Sequence, residues 1–193
     1  MSHVERRATY FEAPGQQNTD AVLKTAREYA EELGVRDVVV ASTTGETGVA
    51  AAKLFEGFNL VVVTHHAGFS TPGVQEMTEE NRQELLASGA KVLTATHALS
   101  SVERAVRKDF GTIGPLEIIA NTLRLFGEGT KVCVEIALMA ADAGLTPVDR
   151  DVVAIAGSSW GADTALLIRP ANASRFFDLE VREVIAKPHR LEK

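Results

Sequence analysis

Three short, uniformly apolar runs constrain this chain most: Val38-Val39-Val40-Ala41, Leu60 to Val63, and Val152 to Ala156. A strand with one wet face alternates polar and apolar residues, and these runs do not. They read as strands covered on both faces, the pattern of a parallel sheet inside an α/β protein.

The segments between them carry helical spacing. A helix is expected over Thr19–Leu33, with Val22, Ala26, Tyr29, Ala30 and Leu33 on one face. Asn18 or Thr19 is its expected cap, Asp20 favours the first turn, and Gly34 ends it. A second helix should present Ala51, Leu54 and Phe55 inward, and Thr78 should cap a third that runs to Ala87. Lys91–Ala95 reads as a strand. Ser100-x-x-Glu103 is a capping-box pattern for a short helix with Val102 and Val106 inward. Gly114-Pro115 opens another helix with Leu116, Ile119, Ala120 and Leu123 inward. Thr130–Ala143 is a further helix, closed by Gly144. Ala165–Ile168 follows Val152–Ala156 after a short turn, and Leu179–Ala186 is a sixth strand.

Alternating strands and helices imply a mostly parallel sheet with helices on both faces. The short turn before Ala165 implies a hairpin, so the sheet should be mixed, with antiparallel edge strands. Val38–Ala41 and Val152–Ala156 should be adjacent central strands, because both are apolar throughout and both lead into ligand-type loops. The 193 residues suit one domain, with residues 1–18 an extension across the surface.

Composition removes several functions. The net charge of −6 and the lack of a basic block argue against nucleic acid. No apolar run approaches the roughly 20 residues that cross a bilayer. Met1 to Tyr10 has no apolar signal region, and the single cysteine, Cys133, has no partner for an internal disulfide, so a reducing, cytoplasmic setting is expected. Cys133 itself reads as a core residue, and Glu79, Glu80 and Glu84 as a solvated helix face.

Open α/β sheets bind ligands beyond the carboxyl ends of their strands, where strand order reverses. Two loops are placed for this. Ser42-Thr43-Thr44-Gly45-Glu46-Thr47-Gly48 has the parts of a phosphate cradle: glycines for close backbone approach, hydroxyls, and the amino end of a helix. It lacks the lysine of a P-loop. Gly157-Ser158-Ser159-Trp160-Gly161 spells the G-x-S-x-G of a serine nucleophile elbow, with Asp178 and His189 in hydrolase order. The elbow needs a following helix, and Ala165–Ile168 reads as a strand, so Ser159 is not expected to be a nucleophile. A glycine-rich turn around a ligand, with Trp160 as a stacking face, is the favoured reading.

Thr64, His65, His66 and Gly68 follow the second strand and open a long loop to Gln75, broken at Gly68, Pro72 and Gly73. This segment is expected to line the same pocket as a lid. With His97 the chain has three histidines at one sheet edge. No i, i+4 pair or carboxylate cluster supports them, so no metal site is expected.

Val38-Val-Val-Ala-Ser-Thr-Thr-Gly45, Val61-Val-Val-Thr-His-His-Ala-Gly68, Thr94-Ala-Thr-His-Ala-Leu-Ser100 and Gly161-Ala-Asp-Thr-Ala-Leu-Leu-Ile-Arg-Pro170 together resemble the C-terminal domain of pyruvate kinase. More closely they resemble a stand-alone family of mostly archaeal and bacterial proteins with that fold. The resemblance implies a three-layer α/β/α architecture. In pyruvate kinase this domain carries no catalytic residues, and in many members it binds a phosphorylated sugar effector. Carried over, the effector loop is Ser42, Thr43, Thr44, Gly45 and Thr47, and the closing turn is Gly157–Gly161. The loop from His65 to Gln75 has no counterpart there. The stand-alone family resembles binders of flavin mononucleotide (FMN), which would put the phosphate in Ser42–Thr47. The residues alone show a phosphate-friendly loop, not a flavin. The expectation is therefore a phosphorylated ligand, FMN by preference. The alternatives are a regulatory module that binds a phosphorylated metabolite without catalysis, and a hydrolase using Ser159. A homo-oligomer remains open.

Overall fold

The computed structural model of the protein describes residues 3–191. At its centre lie β2 (Asp37–Ala41) and β5 (Val152–Ala156), paired in parallel with Val39 opposite Ala154. Chain order reverses between them. From β2 the sheet continues through β3 (Asn59–Val63) to β4 (Lys91–Leu93). From β5 it continues through β6 (Thr164–Arg169) and β7 (Glu180–Pro188) to β1 (Thr9–Phe11). This reversal is the switch point at which a crevice opens beyond the strand ends.

Three sequence expectations change here. The antiparallel strand is not at an edge: only β6 runs against the others, and both edge strands, β1 and β4, pair in parallel. Residues 1–18 are not simply a surface extension, because Thr9–Phe11 adds a seventh strand beside β7. Three residues alongside Ala186–Pro188 carry no periodicity long enough to recognise. The strand at Lys91 also stops at Leu93 rather than Ala95. Leu93 is paired with Val63, the last residue of β3, and Thr94 turns its hydroxyl to that of Thr64 at 2.8 Å.

The period-two geometry of the central strands divides the core. Val38, Val40, Val62, Val153 and Ile155 meet α1 (Thr19–Leu33) and α2 (Glu46–Leu54), with Leu85 of α3 (Glu79–Ala87) behind them. Val39, Val61, Ala154, Ala156 and Leu166 point the other way, onto α6 (Glu128–Asp142). Both faces are dry, which is why the sequence runs do not alternate. Each fully buried valine contributes roughly 1.5–3 kcal/mol of transfer free energy.

Helix ends are held in ways the sequence half reveals. Gly34 closes α1 at φ 70°, and Thr78 caps α3 by accepting from the Asn81 N–H. Neither Asn18 nor Thr19 caps α1 through its side chain. The Asn18 amide donates to the Ala13 carbonyl of the preceding turn, and the Thr19 hydroxyl accepts from the Ala162 N–H, which fastens a distant segment. The capping box at Ser100 also fails. Glu103 accepts instead from the N–H groups of Leu116 and Glu117, and so caps α5 (Pro115–Arg124) rather than its own helix α4 (Ser101–Phe110). Val102 and Val106 are 76% and 37% exposed, not inward, and α4 buries no residue at all. Helix α6 begins at Glu128, two residues ahead of Thr130. Among the described residues no helix is long and apolar enough to cross a membrane.

Candidate functional site

The carboxyl ends of β2, β3 and β5 open into two adjoining cavities of about 540 and 530 Å³. Ala41, Ser42, Thr43, His65, Glu128 and Val132 line both, so they form one divided cleft.

The first cavity lies between the two loops singled out in the sequence. Ser42, Thr43, Thr44, Glu46 and Thr47 form one wall, and Gly157, Ser158, Ser159, Trp160 and Gly161 the other. The turn after β2 delivers the chain into α2, whose first N–H groups have no intrahelical acceptor. One of them, the Gly48 N–H, is taken by the buried Ser42 hydroxyl at 3.1 Å. Ser42 thus fixes the turn through its oxygen and keeps its O–H as a donor beside the cavities it lines. The glycines also act differently from expectation. Gly48 lies inside α2, where a Cβ would come within 2.8 Å of the Val62 side chain. Gly45 does not line the cavity: it sits at φ 102° against Asn81, and a Cβ there would come within 2.4 Å of the Asn81 Cβ. Both serve packing between elements; the open hydroxyls of the wall are those of Thr44 and Thr47, while that of Thr43 faces His65.

The opposite wall is built around Asp163, which is fully buried. Its carboxylate accepts from the N–H groups of Gly15 and Ser158 and from the Thr164 hydroxyl, at 3.0, 3.2 and 2.8 Å. Asp163 ends the second ligand-type loop in the sequence, and its role as the anchor of that loop comes from neighbours distant in sequence. Asp163 ties the glycine turn to the segment before α1, and Gln16, Gln17 and Asp20 from that region complete the cavity. The turn leads into β6, not a helix. Of the hydrolase partners proposed for Ser159, Asp178 is engaged by Arg175 and the His189 ring lies 6.2 Å from that of Tyr10. The nine-residue strand β7 separates Asp178 from His189, roughly 30 Å at 3.3 Å per residue. No triad forms at Ser159. Trp160 is 64% exposed at the rim.

The second cavity was not foreseen. It lies beneath α4 and α5, and α6 supplies its floor with Lys131 and Glu135, both buried and paired at 2.5 Å. Glu135 also accepts from the Leu99 N–H at 2.9 Å. A lysine and a glutamate at i, i+4, embedded among the apolar residues Val132 to Ala141, was the sequence signal for this floor. Around it, Arg107 pairs with Glu117, and Arg124 with Glu128.

The loop after β3 is only partly a pocket wall. His65 lines both cavities and Thr64 the second, whereas His66 and Gly68 line neither. The Thr64 hydroxyl is tied to the His65 carbonyl and to Thr94, so it holds the loop instead of meeting a ligand. Gln75 reinforces the same point by donating to the His65 carbonyl at 2.9 Å. Phe69 packs among the rings of His65, His66 and His97, at 3.9, 5.6 and 5.4 Å. Burial holds His97 largely neutral, with its pKa lowered to about 4.

The His65 imidazole is held from both ring nitrogens. Its Nδ1 lies 2.8 Å from Glu76, and its Nε2 lies 3.4 Å from the Thr43 hydroxyl. Glu76 accepts in addition from Ser70 at 2.9 Å. Hydrogen bonds from His65 and Ser70 hold its carboxyl below the usual range against the opposing effect of burial, so it is ionised. A carboxylate at Nδ1 makes that nitrogen the N–H donor and leaves the Nε2 lone pair toward Thr43.

Residues 20–168, from α1 to the penultimate residue of β6, match the family of the pyruvate kinase alpha/beta domain. With the strand reversal between β2 and β5 and the three layers around them, the chain belongs to the pyruvate kinase alpha/beta domain family.

Proposed function

We propose that the cleft between the β2 and β5 loops binds a phosphorylated small molecule, and that FMN is the ligand to test first. The observation that carries this reading is the amino end of α2. There Glu46 and Thr47, whose N–H groups have no intrahelical acceptor, stand with Thr43 and Thr44 at the wall of a 540 Å³ cavity. A helix amino end attracts anions through both its free N–H groups and its dipole. The cavity volume suits a cofactor-sized ligand, and Trp160 at the rim offers an aromatic face. Glu46 lines the same wall and is exposed, so its carboxylate can turn to water while its N–H serves the phosphate.

Titration of FMN against riboflavin tests the reading. FMN should bind more tightly. Thr47→Ala should weaken it roughly ten- to a hundredfold, the worth of one charge-assisted hydrogen bond of about 1.5–3 kcal/mol. Glu46→Gln should leave affinity unchanged or raise it. Equal affinity for FMN and riboflavin would exclude recognition of the phosphate.

A further inference from the structure

We propose that Thr43, His65 and Glu76 form a nucleophile–base–carboxylate relay, which makes the divided cleft a site for hydrolysis of a small carboxylic ester. This goes beyond ligand binding and does not depend on FMN. A hydrolase triad is absent around Ser159, and its three chemical parts come together instead at the wall shared by the two cavities.

Each part has its place for a structural reason. Thr43 stands two residues beyond β2, on a strand-to-helix turn, and lines both cavities. His65 stands two residues beyond the neighbouring strand β3, with which β2 is in exact parallel register, Ala41 opposite Val63. Equal offsets from paired strand ends therefore bring the two side chains together. Glu76 reaches the far side of the ring from the end of the long loop, where Ser70 holds it. Stacking on Phe69 fixes the plane of the imidazole. The 3.4 Å separation of Thr43 from Nε2 is the loose contact common in free enzymes, which tightens when substrate binds. The free N–H groups at the start of α2 come three residues after Thr43, across the turn of Thr44 and Gly45. An oxyanion formed on an acyl group attached to Thr43 would develop beside them. Strand, nucleophile and helix thus come in the order found in a nucleophile elbow.

The steps balance without a metal or redox partner. His65 Nε2 takes the Thr43 hydroxyl proton as Oγ1 bonds to the acyl carbon, and the tetrahedral oxyanion collapses with cleavage of the ester C–O bond. The departing alkoxide takes the proton from Nε2 and leaves as the alcohol. Water then gives its proton to Nε2 and attacks the acyl-threonine. Collapse returns the proton to Thr43 and releases the carboxylic acid. Glu76 is a positioning residue throughout: it fixes the tautomer and stabilises the imidazolium.

The experiment uses p-nitrophenyl acetate as substrate and a fluorophosphonate as label, with intact-protein and peptide mass spectrometry. The wild-type chain should release p-nitrophenol and carry its adduct on Thr43. Thr43→Val should lose the adduct and fall to the background rate, and Thr43→Ser should retain both. His65→Gln should lower kcat on the order of 10²–10⁴-fold, the range for a general base. Glu76→Gln should lower kcat with KM nearly unchanged, which a general loosening of the loop would not do. Absence of any adduct on wild-type Thr43, or equal hydrolysis by wild type and Thr43→Val, would overturn the proposal. Failure of FMN binding would leave it standing, because the label reads the nucleophile alone.

Discussion

The two halves of the cleft share a wall yet are made of different material. Between the β2 and β5 loops, the lining is a helix amino end and a glycine turn at the ends of strands that are buried apart from Ala41. Beneath α4 and α5, it is side chains joined in ion pairs: Lys131–Glu135, Arg124–Glu128 and Arg107–Glu117. Helix α4 rests on the protein without burying a residue. Backbone at a strand end cannot move without unzipping the sheet, so the first half is preorganised. The second half depends on charges whose worth is set by burial, and only the floor pair is buried.

That contrast predicts where substitutions hurt. The largest effect should come from the floor of the second half. Lys131→Met leaves Glu135 buried and unpaired and should cost about 3–5 kcal/mol in urea unfolding. The double variant Lys131→Met/Glu135→Leu should recover much of that loss, because a buried pair can often be replaced by apolar residues. No recovery would mean that the Leu99 N–H, which Glu135 also satisfies, matters more than the pair.

In the first half, Gly45→Ala should cost about 1–3 kcal/mol from backbone strain at φ 102°, with overpacking of similar size against Asn81. An unchanged denaturation midpoint would show that this turn is softer than its setting implies.

Within the second half, His97 gives a pH signature. Its folded pKa of about 4 lies below the ordinary 6.5, so the unfolded chain binds more protons between those values. Stability contributed by the neutral ring is fully present above pH 6.5 and is lost as pH falls toward 4. His97→Phe should flatten this part of the stability profile. An unaltered slope would mean that protonation of the ring is not opposed by burial.

The smallest effect is expected on α4. Val102→Ala and Phe110→Ala remove side chains that are 76% and 78% exposed, and each should change stability by no more than about 0.5 kcal/mol. Amide exchange should be faster in α4 than in α6, whose helix is buried along most of its length. Strong protection of α4 would remove the contrast between the two halves.

How far the site could be read from residues follows the same division. The Ser42–Thr47 and Gly157–Gly161 loops were legible because strand ends and glycines mark them locally. Their inner workings were not: whether a hydroxyl meets a ligand or holds a turn depends on neighbours distant in sequence. Ser42 caps α2, Thr64 anchors the loop after β3, and Gly45 makes room for Asn81. Glu103 likewise fits a capping box by spacing, yet it satisfies the next helix because α5 lies against α4.

Local chemistry alone determined the alternation of strands and helices, the dry faces of β2, β3 and β5, and the glycine that ends α1. Unbroken β-branched runs and helical periodicity admit few other folds. The tertiary structure decided what long-range pairing controls: β1 beside β7, β6 reversed within the sheet, Asp163 holding the segment before α1, and Lys131 against Glu135 over the second cavity. It also placed His65 between Glu76 and Thr43, because β2 and β3 are aligned in register and so bring residues 22 positions apart to one edge.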